Sequence, residues 1–185
     1  MLTADDVADH FTAELGNVVQ VARYADPRLE LPENGVDVFI PDCHILRPED
    51  LRLYPDCGFR QADALLRFLQ SLHRLQTRHE QEGGRVRVWQ VGDLFDEWRS
   101  QQHGGPGERI AGIRNAPELR PIFDLLLSPR PDGLGAEVLA GNHDFQLFKL
   151  DDWRKARFRI LGQQGQMMVL HGDQFDFIER FPDRL

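Results

Sequence analysis

Four short stretches of this 185-residue chain bring acid, amide and imidazole side chains together at close spacing. Asp42 and His44 stand two apart in "PDCH", and Asp93 and Asp96 three apart in "GDLFD". Asn142, His143 and Asp144 are consecutive in "GNHD", and His171 opens "HGD". The set combines hard oxygen donors with imidazole and contains no thiolate, which suits Mn²⁺, Fe or Zn²⁺ better than a soft metal. If the chain is extended at Cys43, Asp42 and His44 point to one side and the thiol to the other. Each stretch alone has an ordinary explanation, because Asp or Asn after a strand commonly turns the chain or caps a helix. Four of them together are much harder to explain as turns.

The elements that must position these residues are legible in the apolar pattern. "VFIP", "VWQV", "EVLA" and "MMVL" each run directly into one of the four clusters. In layered α/β folds the loops beyond the carboxyl ends of the strands gather along one edge, which is where sites form. Val36, Val38 and Ile40 alternate as a strand ending at Pro41, "RVRVWQV" (85–91) is a second strand and "AEVLA" (136–140) a third. "RFRIL" (157–161) and "QMMVL" (166–170) form an expected hairpin. Between the first two strands, Leu65, Leu69 and Leu72 mark a helix within residues 60–82, stopped by Gly83 and Gly84. A further helix is expected over about 117–127, and the glycine-rich stretch 99–116 reads as a long loop or insertion. At the N-terminus, Val7, Phe11 and Leu15 recur at four-residue spacing, predicting an amphipathic helix over 4–15 within an extension of about residues 1–35. The expected class is α/β, in a single domain spanning 1–185.

Composition narrows the function classes. With 30 acidic against 22 basic residues the formal charge is −8, the wrong sign for non-specific binding to nucleic acid or an anionic membrane. Bound cations would reverse that sign locally, so a phosphorylated small molecule stays open as substrate. No run reaches the roughly 18 apolar residues of a membrane span. The acidic start "MLTADDVADHFTAEL" lacks the basic and apolar regions of a signal peptide, so a cytoplasmic location is expected. Cys43 and Cys57 fit no paired metal spacing; reduced thiols are expected, with one disulfide as the alternative.

The clusters "DCH" (42–44), "GDLFD" (92–96), "GNHD" (141–144) and "HGD" (171–173), in this order, resemble four of the five motifs of the calcineurin-like metallophosphoesterases. The resemblance covers about residues 36–176 and implies two β-sheets packed as a sandwich and flanked by helices, with a centre of two divalent cations. Mn²⁺ is the favoured metal, with Fe or Zn²⁺ as alternatives. It implies Asp42 and His44 as ligands of one ion, Asn142 and His171 of the other, and Asp93 as the bridge. His143 would lie over the substrate phosphate near the leaving group, with Asp96 orienting its ring as outer-shell carboxylates do. The implied reaction is phosphoester hydrolysis by water activated between cations about 3.5–4 Å apart.

The sequence departs from the family pattern at its end. The fifth motif, Gly-His-x-His, is absent, which leads to the expectation that the chain lacks its C-terminal part, holds one histidine fewer per metal and is weakly active alone. None of His10, His73, His79 and His103 matches a motif that would replace it. Glu97 occupies the position where the Ser/Thr protein phosphatases carry Arg. "VGDLFDEW" and "GNHDF" are closer to the bacterial UDP-2,3-diacylglucosamine hydrolases, although those usually carry Arg where His143 stands. A pyrophosphatase of that type and a non-catalytic scaffold of the same fold remain as alternatives to a phosphate mono- or diesterase. A nuclease is disfavoured by the acidic balance.

Overall fold

The computed structural model describes residues 35–54, 56, 58–144, 146–147, 158–161 and 167–171. The helix expected at 4–15, and all but the last residue of the 1–35 extension, lie outside them. Strands β1 (Gly35–Ile40), β2 (Arg85–Val91) and β3 (Glu137–Leu139) form a parallel sheet in the order β1-β2-β3. Val36 pairs with Val86 and Ile40 with Gln90, while Gln90 pairs on its other side with Val138. Parallel neighbours need crossover connections, and helices supply them. Strands β4 (Phe158–Leu161) and β5 (Met167–Leu170) form the expected antiparallel hairpin as a separate two-stranded sheet.

Helix α1 (Pro48–Leu53) and helix α2 (Ala62–Gln81) lie between β1 and β2. Leu69 and Leu72 of α2 are buried, and Gln76 continues the same stripe. A glutamine ends that stripe because its amide meets backbone: Nε2 donates to the Val86 carbonyl at 3.0 Å. Two further helices follow β2, α3 (Pro106–Asn115) and α4 (Arg120–Leu127), and α4 packs on α2. Ile110, Ile113, Ile122, Phe123 and Leu126 close the core around Val88, Leu94 and Phe95. Burying a side chain such as Phe123, at 0% exposure, contributes about 1.5–3 kcal/mol relative to leaving it in water.

Two expectations need correction. The 99–116 stretch is not one long loop, because α3 occupies its second half. Gly104 and Gly105 precede the helix and Gly107 and Gly112 lie within it: Pro106 takes the first turn, where a missing N–H costs nothing, and Glu108 Oε2 accepts the Gly105 N–H at 2.7 Å. Ile110 and Ile113, three apart, then anchor the inner face. The helix expected from Pro117 begins instead at Arg120, after a turn in which Leu119 N–H and Arg120 N–H both donate to the Ala116 carbonyl. Cys43 is a free, buried thiol. No helix among the described residues is long and apolar enough to cross a membrane.

Candidate metal centre

Pairing between β1 and β2 does not stop where the strands do. Cys43 N–H and His44 N–H both donate to the Asp93 carbonyl, at 3.0 and 2.8 Å. Ile45 N–H donates to the Leu94 carbonyl and Asp96 N–H to the Ile45 carbonyl, at 3.0 and 3.1 Å. The two loops are thereby zipped together, which brings Asp42 and His44 up to Asp93 and Asp96. His44 and Asp93 hold φ values of +48° and +50°, the left-handed region that non-glycine residues rarely enter. Such backbone strain persists only where surrounding bonds over-determine it, and it gathers at functional sites.

Side-chain donors form two groups that share Asp93. His44, Asp93 and His143 make one, and Asp42, Asp93 and His171 the other; within each group the donor atoms lie within 4.8 Å of one another. His44 Nε2 stands 3.6 Å from Asp93 Oδ2, and His171 Nε2 stands 3.3 Å from the same oxygen and 3.4 Å from Asp42 Oδ1. These separations exceed the usual range of N–H···O bonds. They are close to the edges of a coordination polyhedron, since two donors each about 2.1 Å from one ion stand roughly 3.0–3.4 Å apart. His44 Nδ1 is buried without a hydrogen-bond partner, with Asp96 Oδ2 3.9 Å away. An imidazole lone pair left unsatisfied inside a protein is one that a cation would satisfy. Each of the two groups offers carboxylate and imidazole donors of the kind that could hold a metal ion.

The structure brings all seven singled-out residues to this edge but divides two of them differently. Asp42 stands beside His171 rather than beside His44, because the positive φ of His44 breaks the extended geometry that would align the pair. Asn142 is buried in the loop after β3, whose backbone lies against the Asp93 carboxylate. There His143 N–H donates to Asp93 Oδ1 at 2.9 Å, and a Cβ at Gly141 would sit 2.0 Å from that oxygen. Gly92 serves the other flank: its φ is +87°, and a Cβ would come within 2.7 Å of the His171 ring. Only glycine meets both demands.

Around His143 the contacts are short. Nδ1 bonds Asp96 Oδ1 at 2.8 Å, and Arg99 Nη1 donates to Asp96 Oδ2 at 2.6 Å. The ring meets His44 edge-on, with centroids 4.5 Å apart. Burial lowers the His143 pKa, but the Asp96 hydrogen bond and the Asp93 and Asp96 charges outweigh it, so the net shift is upward. Asp96 moves the other way: burial raises it, and His143 and Arg99 hold it below the usual carboxylate range. Asp93 is lowered too, burial being overcome by His171 and by the His143 N–H.

Several residues matter here in ways that the sequence clusters do not specify. Asp144, fully buried, accepts Leu94 N–H at 2.8 Å and Phe95 N–H at 3.3 Å on one oxygen, and Gly141 N–H at 2.7 Å on the other. It ties the loop after β2 to the loop after β3, and burial with the nearby Asp93 charge pushes its pKa up to about 7. Gln90 Nε2 donates locally to the Gly92 carbonyl at 2.6 Å, and across to the Pro41 carbonyl at 3.5 Å. Trp98 and Arg99, beside His143, follow the "GDLFD" cluster after Glu97; adjacency to a site cluster is the one signal that could have found them.

No family model, curated protein or solved structure matches this chain.

Proposed function

We propose that this chain is a metal-dependent phosphoesterase of the calcineurin-like type, with the two-sheet architecture that the motifs imply. The observation that carries the reading is the position of Asp93. It is the only carboxylate common to both described donor groups, and it is held there at positive φ by two backbone N–H groups and capped by a third on its side chain. Asp42, His44, Asp93, Asn142 and His171 would hold two divalent cations, Mn²⁺ in the first instance, one on the His44 side and one on the Asp42–His171 side. When bound, such a pair supplies Lewis-acid activation of water and neutralises the phosphate charge.

The remaining chemistry belongs to the chain. His143 is kept proton-rich by Asp96, so it suits a hydrogen-bond or proton donor to the departing ester oxygen near neutral pH. Asp96 fixes the ring and the tautomer, placing the Nδ1 proton on the Asp96 side and leaving Nε2 for substrate. Arg99 holds Asp96 ionised. The His44 donor group also includes His143, which favours a second reading in which His143 is a ligand. The substrate would be a phosphorylated small molecule.

The test is hydrolysis of p-nitrophenyl phosphate and of bis(p-nitrophenyl) phosphate with Mn²⁺, against the same protein in EDTA and against Asp93→Asn. Hydrolysis that requires Mn²⁺ and disappears in Asp93→Asn supports the proposal at whatever absolute rate. Stoichiometric metal without hydrolysis of either ester would leave a binding scaffold instead.

A further inference from the structure

The short 3₁₀ turn Glu97–Arg99 carries a feature that hydrolysis alone does not explain. The Trp98 indole lies face to face with the His143 imidazole, centroids 4.7 Å apart and planes 20° apart, yet Trp98 is 44% exposed. One face rests on the imidazole, so the exposure falls on the opposite face and edge. Leaving so large a ring in water forgoes burial free energy, and the chain does not leave it there loosely. On one side Glu97, 1% exposed, is ion-paired with Arg109 of α3. On the other, Ser100 Oγ and Gln101 N–H donate to the buried Asp50 carboxylate at 3.2 and 3.1 Å. Arg47 forks that same carboxylate with two bonds of 2.9 Å. Two buried carboxylates thus brace the turn that presents an exposed aromatic face beside the candidate catalytic histidine.

We infer that Trp98 is a specificity-determining residue whose open indole face stacks on a planar ring of the substrate. The inference rests on the reading that His143 faces the scissile phosphate. It also sets a distance. A ring stacked on the far face would stand roughly 9 Å from the imidazole, given about 4.5 Å between stacked centroids. A ring esterified directly to a phosphate at the imidazole edge stays beside that phosphate, whereas a ring carried on a spacer such as a sugar can extend toward the far indole face. The substrate class is therefore a phosphate ester carrying a planar heterocycle on a spacer, as in a nucleotide. Stacking on an aromatic side chain requires no particular base, so preference among bases should be weak.

Calorimetric titration of the full chain with Mn²⁺ present tests this, using adenosine 5′-monophosphate against ribose 5-phosphate, which differ by the ring alone. The wild type should bind the nucleotide about tenfold more tightly, within the range for one base stacked on one aromatic ring. Trp98→Ala should erase that preference and Trp98→Phe should keep most of it. Equal affinity of the two ligands in the wild type, a preference that survives Trp98→Ala, or an equal loss for both ligands would overturn the inference; the last would make Trp98 a support for His143 only. If neither ligand binds in an Mn²⁺-dependent way and the protein takes up no metal, the metal-centre reading itself fails. Mn²⁺-dependent binding of ribose 5-phosphate without a ring preference would leave that reading standing and remove only the role of Trp98.

Discussion

On the His44 side of Asp93 the side chains hold one another. His143, Asp96 and Arg99 are joined by bonds of 2.8 and 2.6 Å, and Trp98 and His44 pack against the His143 ring. On the other side the donors stand 3.3 and 3.4 Å apart, the Asp42 side chain is 49% exposed, and His171 owes its place to the missing Cβ of Gly92. Beside His44 the His143–Asp96–Arg99 chain is fixed by its own hydrogen bonds before any ion arrives, although His44 itself stands 3.6 Å from Asp93. Beside His171 the donors stand at polyhedral spacing, with the Asp42 carboxylate half in solvent. A cation on the Asp42–His171 side should therefore exchange more readily than one on the His44 side.

Removing the shared group is the strongest way to break that contrast. Asp93→Asn keeps the size and the acceptor for His143 N–H but deletes the bridging charge. It should strip metal from both sides and lower turnover by more than about a thousandfold, beyond the 10–100-fold typical of outer-shell losses. Metal analysis and hydrolysis rates on the same sample check it. His143→Ala separates the two roles open to that residue: turnover should fall by about 10²- to 10³-fold, the scale of general acid–base catalysis, with metal content retained. Loss of one ion in His143→Ala would make the histidine a ligand.

Smaller effects are expected one step away from the proposed ligands. Asp96→Asn should cost about 10–100-fold in activity, since the ring loses its orienting carboxylate while every proposed ligand remains. Gly92→Ala should act on the opposite side, where a methyl group meets the His171 ring on a backbone that L residues rarely adopt. The strain, about 1–3 kcal/mol, should lower the melting temperature and loosen the second ion more than the first.

The smallest expected effect lies outside the centre, at Asp50. Burial raises its pKa, but Arg47, the Gln101 N–H and Ser100 more than offset this and hold it below the usual carboxylate range. A depressed carboxylate contributes stability above its unfolded pKa and loses it as pH falls through the folded value. Asp50→Asn should therefore be less stable by about 1–3 kcal/mol at pH 7, the scale of hydrogen bonds to charged groups. Unfolding in urea should show that gap narrowing as pH drops below about 4.

Much of this organisation was legible because it is local. Val36, Val38 and Ile40, or Leu65, Leu69 and Leu72, declare strand and helix by spacing alone, and the polar clusters follow the strand ends they were expected to follow. Helix α3 was obscured because glycine and proline marked its start as readily as they mark a loop. Only the buried positions of Ile110 and Ile113 give it away. The division of Asp42 from His44 was not legible either, since it depends on one left-handed residue whose conformation is set by hydrogen bonds to a segment about fifty positions away. Asp144 and Trp98 act through contacts to segments about fifty positions away that no spacing rule encodes.

Anomalous diffraction from crystals of the full chain grown with Mn²⁺ would show whether two cations share Asp93. Two manganese peaks about 3.5–4 Å apart, one on each side of the Asp93 carboxylate, are the expected result. The peak beside Asp42 and His171 should be the first to weaken as Mn²⁺ is withdrawn. A single peak bound without Asp93, or none within coordinating distance of it, would rule out a shared carboxylate.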